Sequence, residues 1–246
     1  MEQDLIRRAE DLARRCVRTA EVTHTGFLTP AECALLEHWD ARSADCQLLL
    51  HGGGAEPERR VAFFLPDWMD AETFDPNEHL CAVEVTARFG EPGHRDYLGA
   101  VLGLGIERAW IGDIVIDGGT AYIYCLPSVK AHLLQSLEKV GRYGVRTREV
   151  ALSEVPAPQR EWKETEFSVK SLRLDAVCAG AFGVSRAAAA EAIAAGLVAR
   201  NYLPCLKPDA PIQEGDVLSL RGKGKAVVRS ASGLSRKGRI FVRVGR

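Results

Sequence analysis

The sequence predicts an α+β protein of more than one domain, and three observations carry that expectation. Segments of helical and of strand periodicity alternate along the chain and do not form one long run of either kind. A polar stretch with two prolines, SEVPAPQREWKET over 153–165, has no apolar period and reads as a linker. Charge divides at the same place. The whole chain carries a net −1, yet residues 1–165 carry −9 and residues 166–246 carry +8. After Asp216 there are nine basic residues and no acidic one.

The elements follow in order. Leu5, Ala9, Leu12, Cys16 and Ala20 recur at helical spacing, so 2–20 is a helix. Thr29-Pro30-Ala31-Glu32 is a capping box with proline at the first helical position, opening a helix that should run to about Ala41. CQLLLH and RRVAFFL are strands on either side of Gly52-Gly53-Gly54, and Pro66-Asp67 ends the second. These make a small α/β unit over 1–75.

LCAVEVTARFG, 80–90, alternates Val83, Val85 and Ala87 against Glu84, Thr86 and Arg88, as a strand does. A helix from about Asp96 to Leu102 follows. IGDIVI and TAYIYCL flank Asp117-Gly118-Gly119, a hairpin signal. PSVKAHLLQSLEKVG is a helix with Pro127 in its first turn and Gly141 at its end, and VRTREVAL closes as a strand. The order β-α-β-β-α-β over 76–152 is the ferredoxin-like arrangement, which serves RNA-binding modules and enzymes alike.

The stretch GHRDYLGAVLGLGIER imitates two enzyme motifs. A dinucleotide fingerprint needs a strand before its glycines and a helix after them. Here the helix comes first, a strand follows, and Arg108 occupies the third glycine position. His94-Arg95-Asp96 has no accompanying phosphate loop or DFG, which excludes a kinase. Asp96 suits a helix start. His94, Arg95 and Arg108 are candidates for a secondary contact with phosphate.

Other classes are excluded in the same way. The seven cysteines include no CxxC pair, so neither a zinc site nor any other metal site is expected, and buried reduced thiols are. No apolar run approaches a membrane span, and the charged start MEQDLIRRAEDLARR lacks a signal peptide's apolar core. The expectation is a cytoplasmic protein with no membrane contact and no cofactor. An acidic body fused to a basic module suggests a polyanionic partner held by one end. The acidic part is then a candidate for recruiting a protein.

Residues 166–246 are the most informative. Leu172, Leu174, Val177 and Cys178 give an apolar face to a short helix. Ser185 caps a second, alanine-rich helix that Gly196 terminates. VARNYL is a strand, EGDVLSL a turn at Gly215-Asp216 and then a strand, and RGKGK an exposed, mobile basic loop. Arg186 at a helix start opposes the helix dipole, which favours an external anion there. Asp175 is expected to cap the helix or pair with Arg173, and Asn201 to bond its own turn.

Arg173-Leu174-Asp175, Ser185-Arg186, Ile193, Gly196, Val198, Asn201 and Gly215-Asp216, at these spacings, resemble the S4 RNA-binding domain. The resemblance implies a positive surface for structured RNA bearing Arg173, Ser185 and Arg186. This sequence departs from the pattern at Glu191 and its neighbouring alanines, where Lys or Arg is frequent, and at Tyr202, where glycine is. That moves weight to the termini and to the Arg221–Lys225 loop. The candidate RNA-contacting residues are Lys170, Arg173, Ser185, Arg186, Arg200, Asn201, Arg221, Lys223, Lys225 and Lys237.

GGGAEPERRVAFFLPDW, HRDYLGAVLGLGIERAWIGDI and RGKGKAVVRSASGLSRKGRIFVRV together resemble the YlmH family of bacterial S4-domain proteins, which is related to photosystem II S4-domain proteins. That resemblance implies binding of ribosomal RNA or tRNA on the large ribosomal subunit and a part in ribosome-associated quality control, with no catalytic residue. The alternative is an RNA-modifying enzyme, pseudouridine synthase-like or methyltransferase-like, that uses the S4 module for targeting. Against it, the Arg173-Leu174-Asp175 triplet lies inside that module, and no glycine loop joins a strand to a helix.

Overall fold

The computed structural model describes residues 2–40, 45–158, 162–234 and 238–246. The chain folds as two compact units, Met1–Gln159 and Arg160–Arg246.

In the first unit α1 (Glu2–Thr19), β1 (Thr23–Leu28), α2 (Pro30–Glu37), β2 (Gln47–His51) and β3 (Arg60–Leu65) come first. α1 buries Leu5, Ala9, Ala13 and Cys16 along one stripe. The capping box closes α2 as expected: the Thr29 N–H donates to Glu32 Oε2 at 2.7 Å, and the Glu32 N–H to Thr29 Oγ1 at 3.3 Å. α2 ends at Glu37, short of the expected Ala41, which lies outside the described residues.

The three strands form an antiparallel sheet in the order β1-β3-β2. β3 sits at its centre with both faces covered, which explains its unbroken apolar run. Ala62 and Phe64 face the two helices, while Val61, Phe63 and Leu65 face the other way. β1 is an element the periodicity does not reveal. Its register slips between His24 and Phe27, around Gly26. A Cβ on Gly26 would stand 2.6 Å from the Ala109 carbonyl oxygen, so glycine permits a close backbone approach there.

Next come β4 (Cys81–Ala87), α3 (His94–Gly103), β5 (Ile111–Asp117), β6 (Thr120–Cys125), α4 (Pro127–Ser136), β7 (Lys139–Val140) and β8 (Tyr143–Val150). All neighbouring strands are antiparallel, in the order β5-β6-β4-β8-β7. One face buries Val83, Val85, Ile123 and Val145 with Tyr97 and Val101 of α3 and Leu133 of α4. The other face contributes Ala82, Val115, Tyr124 and Val150 to a core shared with Phe27, Val61 and Phe63 of the first sheet. Segments 1–75 and 76–152 therefore stack as helix, sheet, sheet and helix layers of one unit. α4 stops at Ser136 and not at Gly141. Val140 is buried in the core, and Gly141, at φ +57°, turns the β7–β8 hairpin.

A polar staple fixes the stack. Asp113 of β5 accepts the backbone N–H groups of Glu58 and Arg59, at 2.6 and 3.2 Å. Arg59 Nη2 donates to the Phe27 carbonyl at 2.6 Å and its Nε to the Ile111 carbonyl at 3.3 Å. The Gly52–Gly54 turn rests on Tyr124. A Cβ at Gly54 would meet the Tyr124 hydroxyl at 2.2 Å.

The second unit holds β9 (Glu164–Val169), α5 (Leu174–Phe182), α6 (Arg186–Ala194), β10 (Val198–Arg200), β11 (Leu203–Pro204), β12 (Val217–Leu220), β13 (Gly224–Leu234) and β14 (Ile240–Gly245). They form a six-stranded sheet in the order β11-β10-β12-β13-β14-β9, with every pair antiparallel. α5 ends on Gly183 in the left-handed conformation, and α6 starts after the Ser185 cap. The two helices meet at a bend of 115°. Leu174, Val177, Cys178, Ala189 and Ile193 pack on Leu218, Ala226, Val228 and Val242 of the sheet. Among the described residues, no single helix is long and apolar enough to cross a membrane.

Candidate nucleic-acid interface

The first turn of α5 places Asp175 where its side chain is only 7% exposed. Two arginines from either side close on it. Arg173, the N-cap position, donates through Nε to Oδ1 at 3.2 Å and through Nη2 to Oδ2 at 3.3 Å. Arg186, the first residue of α6, donates through Nε to Oδ2 at 3.0 Å. Burial opposes the charge on Asp175, but the hydrogen bonds and charges of Arg173 and Arg186 outweigh it and hold the carboxyl below its ordinary range. The two arginine side chains stay 40% and 55% exposed. Each guanidinium has five N–H donors and spends a minority of them inward. The rest remain available to a partner on these half-exposed side chains.

Lys170, exposed after β9, extends this cluster. With Arg186 and Arg239 it lines an open cavity of about 420 Å³ beside Ser168 and Gly180. Arg239 is a cation that sequence reasoning passed over in favour of its neighbour Lys237. Its Nε donates to Ser168 Oγ at 3.0 Å, and its Nη2 to the Ser168 carbonyl. Lys237 lies outside the described residues. Ser185 is exposed, and its hydroxyl accepts the Ala188 N–H at 3.1 Å as a helix cap.

Arg200 and Asn201 are placed differently. Both bind Asp216, which is 6% exposed, at 2.9 Å through Arg200 Nε and at 2.7 Å through Asn201 Nδ2. Asp216 also accepts the Gln213 N–H at 2.8 Å. Asn201 Oδ1 accepts the Val217 N–H at 2.9 Å, so both ends of its amide are engaged. Asn201 and Tyr202 take φ of +49° and +68°, a turn conformation that Asn tolerates well. The arrangement anchors the β10–β11 turn.

RGKGK is a tight hairpin turn between β12 and β13, closed by the Lys223 N–H on the Leu220 carbonyl at 2.8 Å. Arg221 and Lys223 are exposed on it. The Lys225 ammonium lies 5.8 Å from the Tyr202 ring centre. Arg246 ties the turn to α5, donating to the Lys223 carbonyl at 2.8 Å and the Ala181 carbonyl at 3.3 Å.

In the first unit His94 and Arg95 are exposed in the first turn of α3. Arg108 is engaged in contacts of its own. Its Nη1 donates to the Ile111 and Gly112 carbonyls. Burial, with repulsion from Arg59, lowers its pKa to about 10. Among the described residues, no group of His, Cys, Asp and Glu is arranged to hold a metal ion.

Fold and site define an α+β protein of two units, the second of which presents exposed lysines beside arginines held on buried carboxylates. Residues 72–154 match the family model described as a putative RNA-binding domain in YlmH. The chain is 30% identical over 213 residues to the ribosome-associated protein quality control protein P2 of Bacillus subtilis (strain 168), covering 87% of this chain and 82% of that protein. The chain belongs to the YlmH family. The solved structure of cell division protein ylmH from Streptococcus pneumoniae shares the fold, with a TM-score of 0.53 at 21% identity, over 62% of this chain and 93% of that one.

Proposed function

We propose that this chain is a non-catalytic RNA-binding protein that works on the ribosome in the cytoplasm. It holds ribosomal RNA or tRNA on the large subunit, in the service of ribosome-associated quality control. The observation that carries the reading is the Arg173–Asp175–Arg186 clasp beside Lys170: two outward guanidiniums locked by one buried carboxylate. Such a device suits phosphates of a folded backbone, because guanidiniums bind phosphate in a fixed fork and release its counterions. Its place on α5 and the start of α6 supports an S4-type reading of the second unit, with Arg221, Lys223 and Lys225 as a further contact. The β-α-β-β-α-β order of β4 to β8 supports a ferredoxin-like reading of the middle segment.

Asp175 supports holding over chemistry. A catalytic carboxylate must reach a substrate, whereas this one is buried and spent on two arginines. The relative from Bacillus subtilis, named for ribosome-associated quality control, supports the ribosomal setting. The acidic first unit is then free to meet a protein.

The test is cosedimentation with ribosomes across a salt series. Contact with roughly four to six phosphates gives a log K against log salt slope of about −3 to −5. Replacing Arg173, Arg186, Lys223 and Lys225 by Ala flattens it. An unchanged slope overturns the assigned surface, and base modification by the pure protein overturns the non-catalytic reading.

A further inference from the structure

One end of the β4–β8 pair carries chemistry that the clasp does not use. Past Ala87 the chain stays paired for one more residue, the Arg88 N–H donating to the Gly144 carbonyl at 3.0 Å. It then turns through Gly90 at φ +76°, a conformation that favours glycine. A Cβ there would stand 2.5 Å from the Tyr143 ring, so the bare glycine lets that ring press against the backbone. Phe89 is left outside, 64% exposed, edge-on to Tyr143 with centroids 5.7 Å apart. Arg142 lies 5.1 Å over the Tyr143 ring and donates to its hydroxyl at 3.1 Å.

The arginines here are short of partners. Arg88 crosses Gly144, its Cδ 3.7 Å from where a Cβ would be. Arg146 pairs with Thr86, which puts it on the Arg88 face of the sheet. Among the described residues neither Arg88 nor Arg146 has an ion-pair partner, whereas Arg148 on the same face is matched by Glu84 at 2.5 Å. Glu91 is the one acid in the loop between β4 and α3. An apolar partner would cover Phe89 but strip water from cations and leave them uncompensated. A single-stranded nucleotide satisfies both features, its base face on the ring and its phosphates on the guanidiniums.

We propose that the corner formed by Arg88, Phe89, Arg142, Tyr143 and Arg146 is a second RNA contact, one that takes an unpaired nucleotide stacked on Phe89. The proposal rests on reading the chain as an RNA-binding protein, and it separates this contact from the folded-RNA clasp of the second unit.

The test titrates the full chain with a 12-nucleotide single-stranded oligouridylate and, in parallel, a 12-base-pair RNA duplex, at one fixed salt. Phe89→Ala should weaken the single strand by about 5- to 100-fold and leave the duplex within about twofold. Phe89→Leu, still apolar, should lose nearly as much, and Phe89→Trp should retain binding. Ultraviolet crosslinking of the wild type should map to Phe89 or Tyr143, a readout that needs no variant to fold. Wild-type affinity of Phe89→Ala and Phe89→Leu for the single strand overturns the proposal. So does a wild type that binds the duplex alone, and the clasp then stands. If the wild type binds neither RNA and does not sediment with ribosomes, both readings fall. Loss of ribosome binding by Phe89→Ala with unchanged RNA affinity assigns the corner to a protein and also overturns it.

Discussion

Asp175→Asn separates charge from position, because the two predict opposite signs. The substitution removes a negative charge from beneath the cationic face. At about 6 Å from a phosphate in water, that alone is worth roughly 0.7 kcal/mol, or about threefold tighter RNA binding. The clasp predicts the reverse. Arg173 and Arg186 lose the anchor that accepts their Nε and Nη2 groups at 3.0–3.3 Å. Each then regains part of the roughly 2 kcal/mol of rotamer entropy an arginine carries, and binding must order it again. A net loss of about 1.4 kcal/mol is about a tenfold weaker Kd. The fold should also soften. The bonds are charge-assisted, but their arginine ends are 40% and 55% exposed and screened, so about 1–2 kcal/mol is a fair loss. That lowers the melting point of the second unit by roughly 5–15 °C. The carboxyl is held below its ordinary value of 3.8, so its contribution is complete above that value and is lost as pH falls through the lowered one. The stability gap between wild type and variant should accordingly close in acid. The assay is electrophoretic titration of structured RNA, with Glu191→Gln as a charge control that lacks an anchor. Tighter binding by Asp175→Asn than by wild type, with the fold intact, refutes the positioning argument.

Three further outcomes follow from the geometry. Asp216→Ala strands the Gln213 N–H and the Arg200 and Asn201 donors, and should destabilise the second unit by about 3 kcal/mol in a urea melt; RNA affinity, measured where the variant is still folded, should stay within about threefold. Gly54→Ala drives a methyl into the Tyr124 hydroxyl, 2.2 Å from its place, and should cost the first unit about 2 kcal/mol or more while the second unit's melt is unchanged. Burial pushes the Cys125 and Cys178 thiols up to about 12, so a mass-mapped thiol label should reach them only as their units unfold, with native labelling at both sites counting against the packing.

The local signals were legible because they are written in adjacent residues. The Thr29–Glu32 box, the Asp117-Gly118-Gly119 hairpin and the Ser185 cap each need only a few neighbours to form, and each formed. What was illegible depends on distant partners. β1 exists because Gly26 fits under Ala109 and its strand pairs with β3, and nothing within THTGFL announces either. The apolar continuity of RVAFFL was visible. Its cause, a core shared with Val115 and Tyr124, was not. At the candidate interface the sequence supplied the cations and left out their anchors. Arg186 reaches across 11 residues to Asp175, and Arg200 across 16 to Asp216.

Those two carboxylates show why net charge is a poor guide to a nucleic-acid surface. The second segment carries 14 basic and six acidic residues, and simple counting treats each acid as a subtraction. Asp175 and Asp216 are instead the two acids of that segment buried beneath arginines. Two guanidiniums brought side by side repel each other and, left free, would drift apart. A carboxylate below them cancels that repulsion and sets their spacing before any ligand arrives, which moves the ordering cost from binding to folding. Exposure of the arginine then decides what the device does. Arg173 and Arg186 keep donors in water and can offer them outward. Arg200, 26% exposed and accompanied by an Asn201 whose amide is fully engaged, has its charge turned inward to hold a turn. One motif, a buried Asp gripping Arg, thus leaves guanidinium donors facing water in the first case and fastens the fold in the second. Only the side-chain geometry tells them apart.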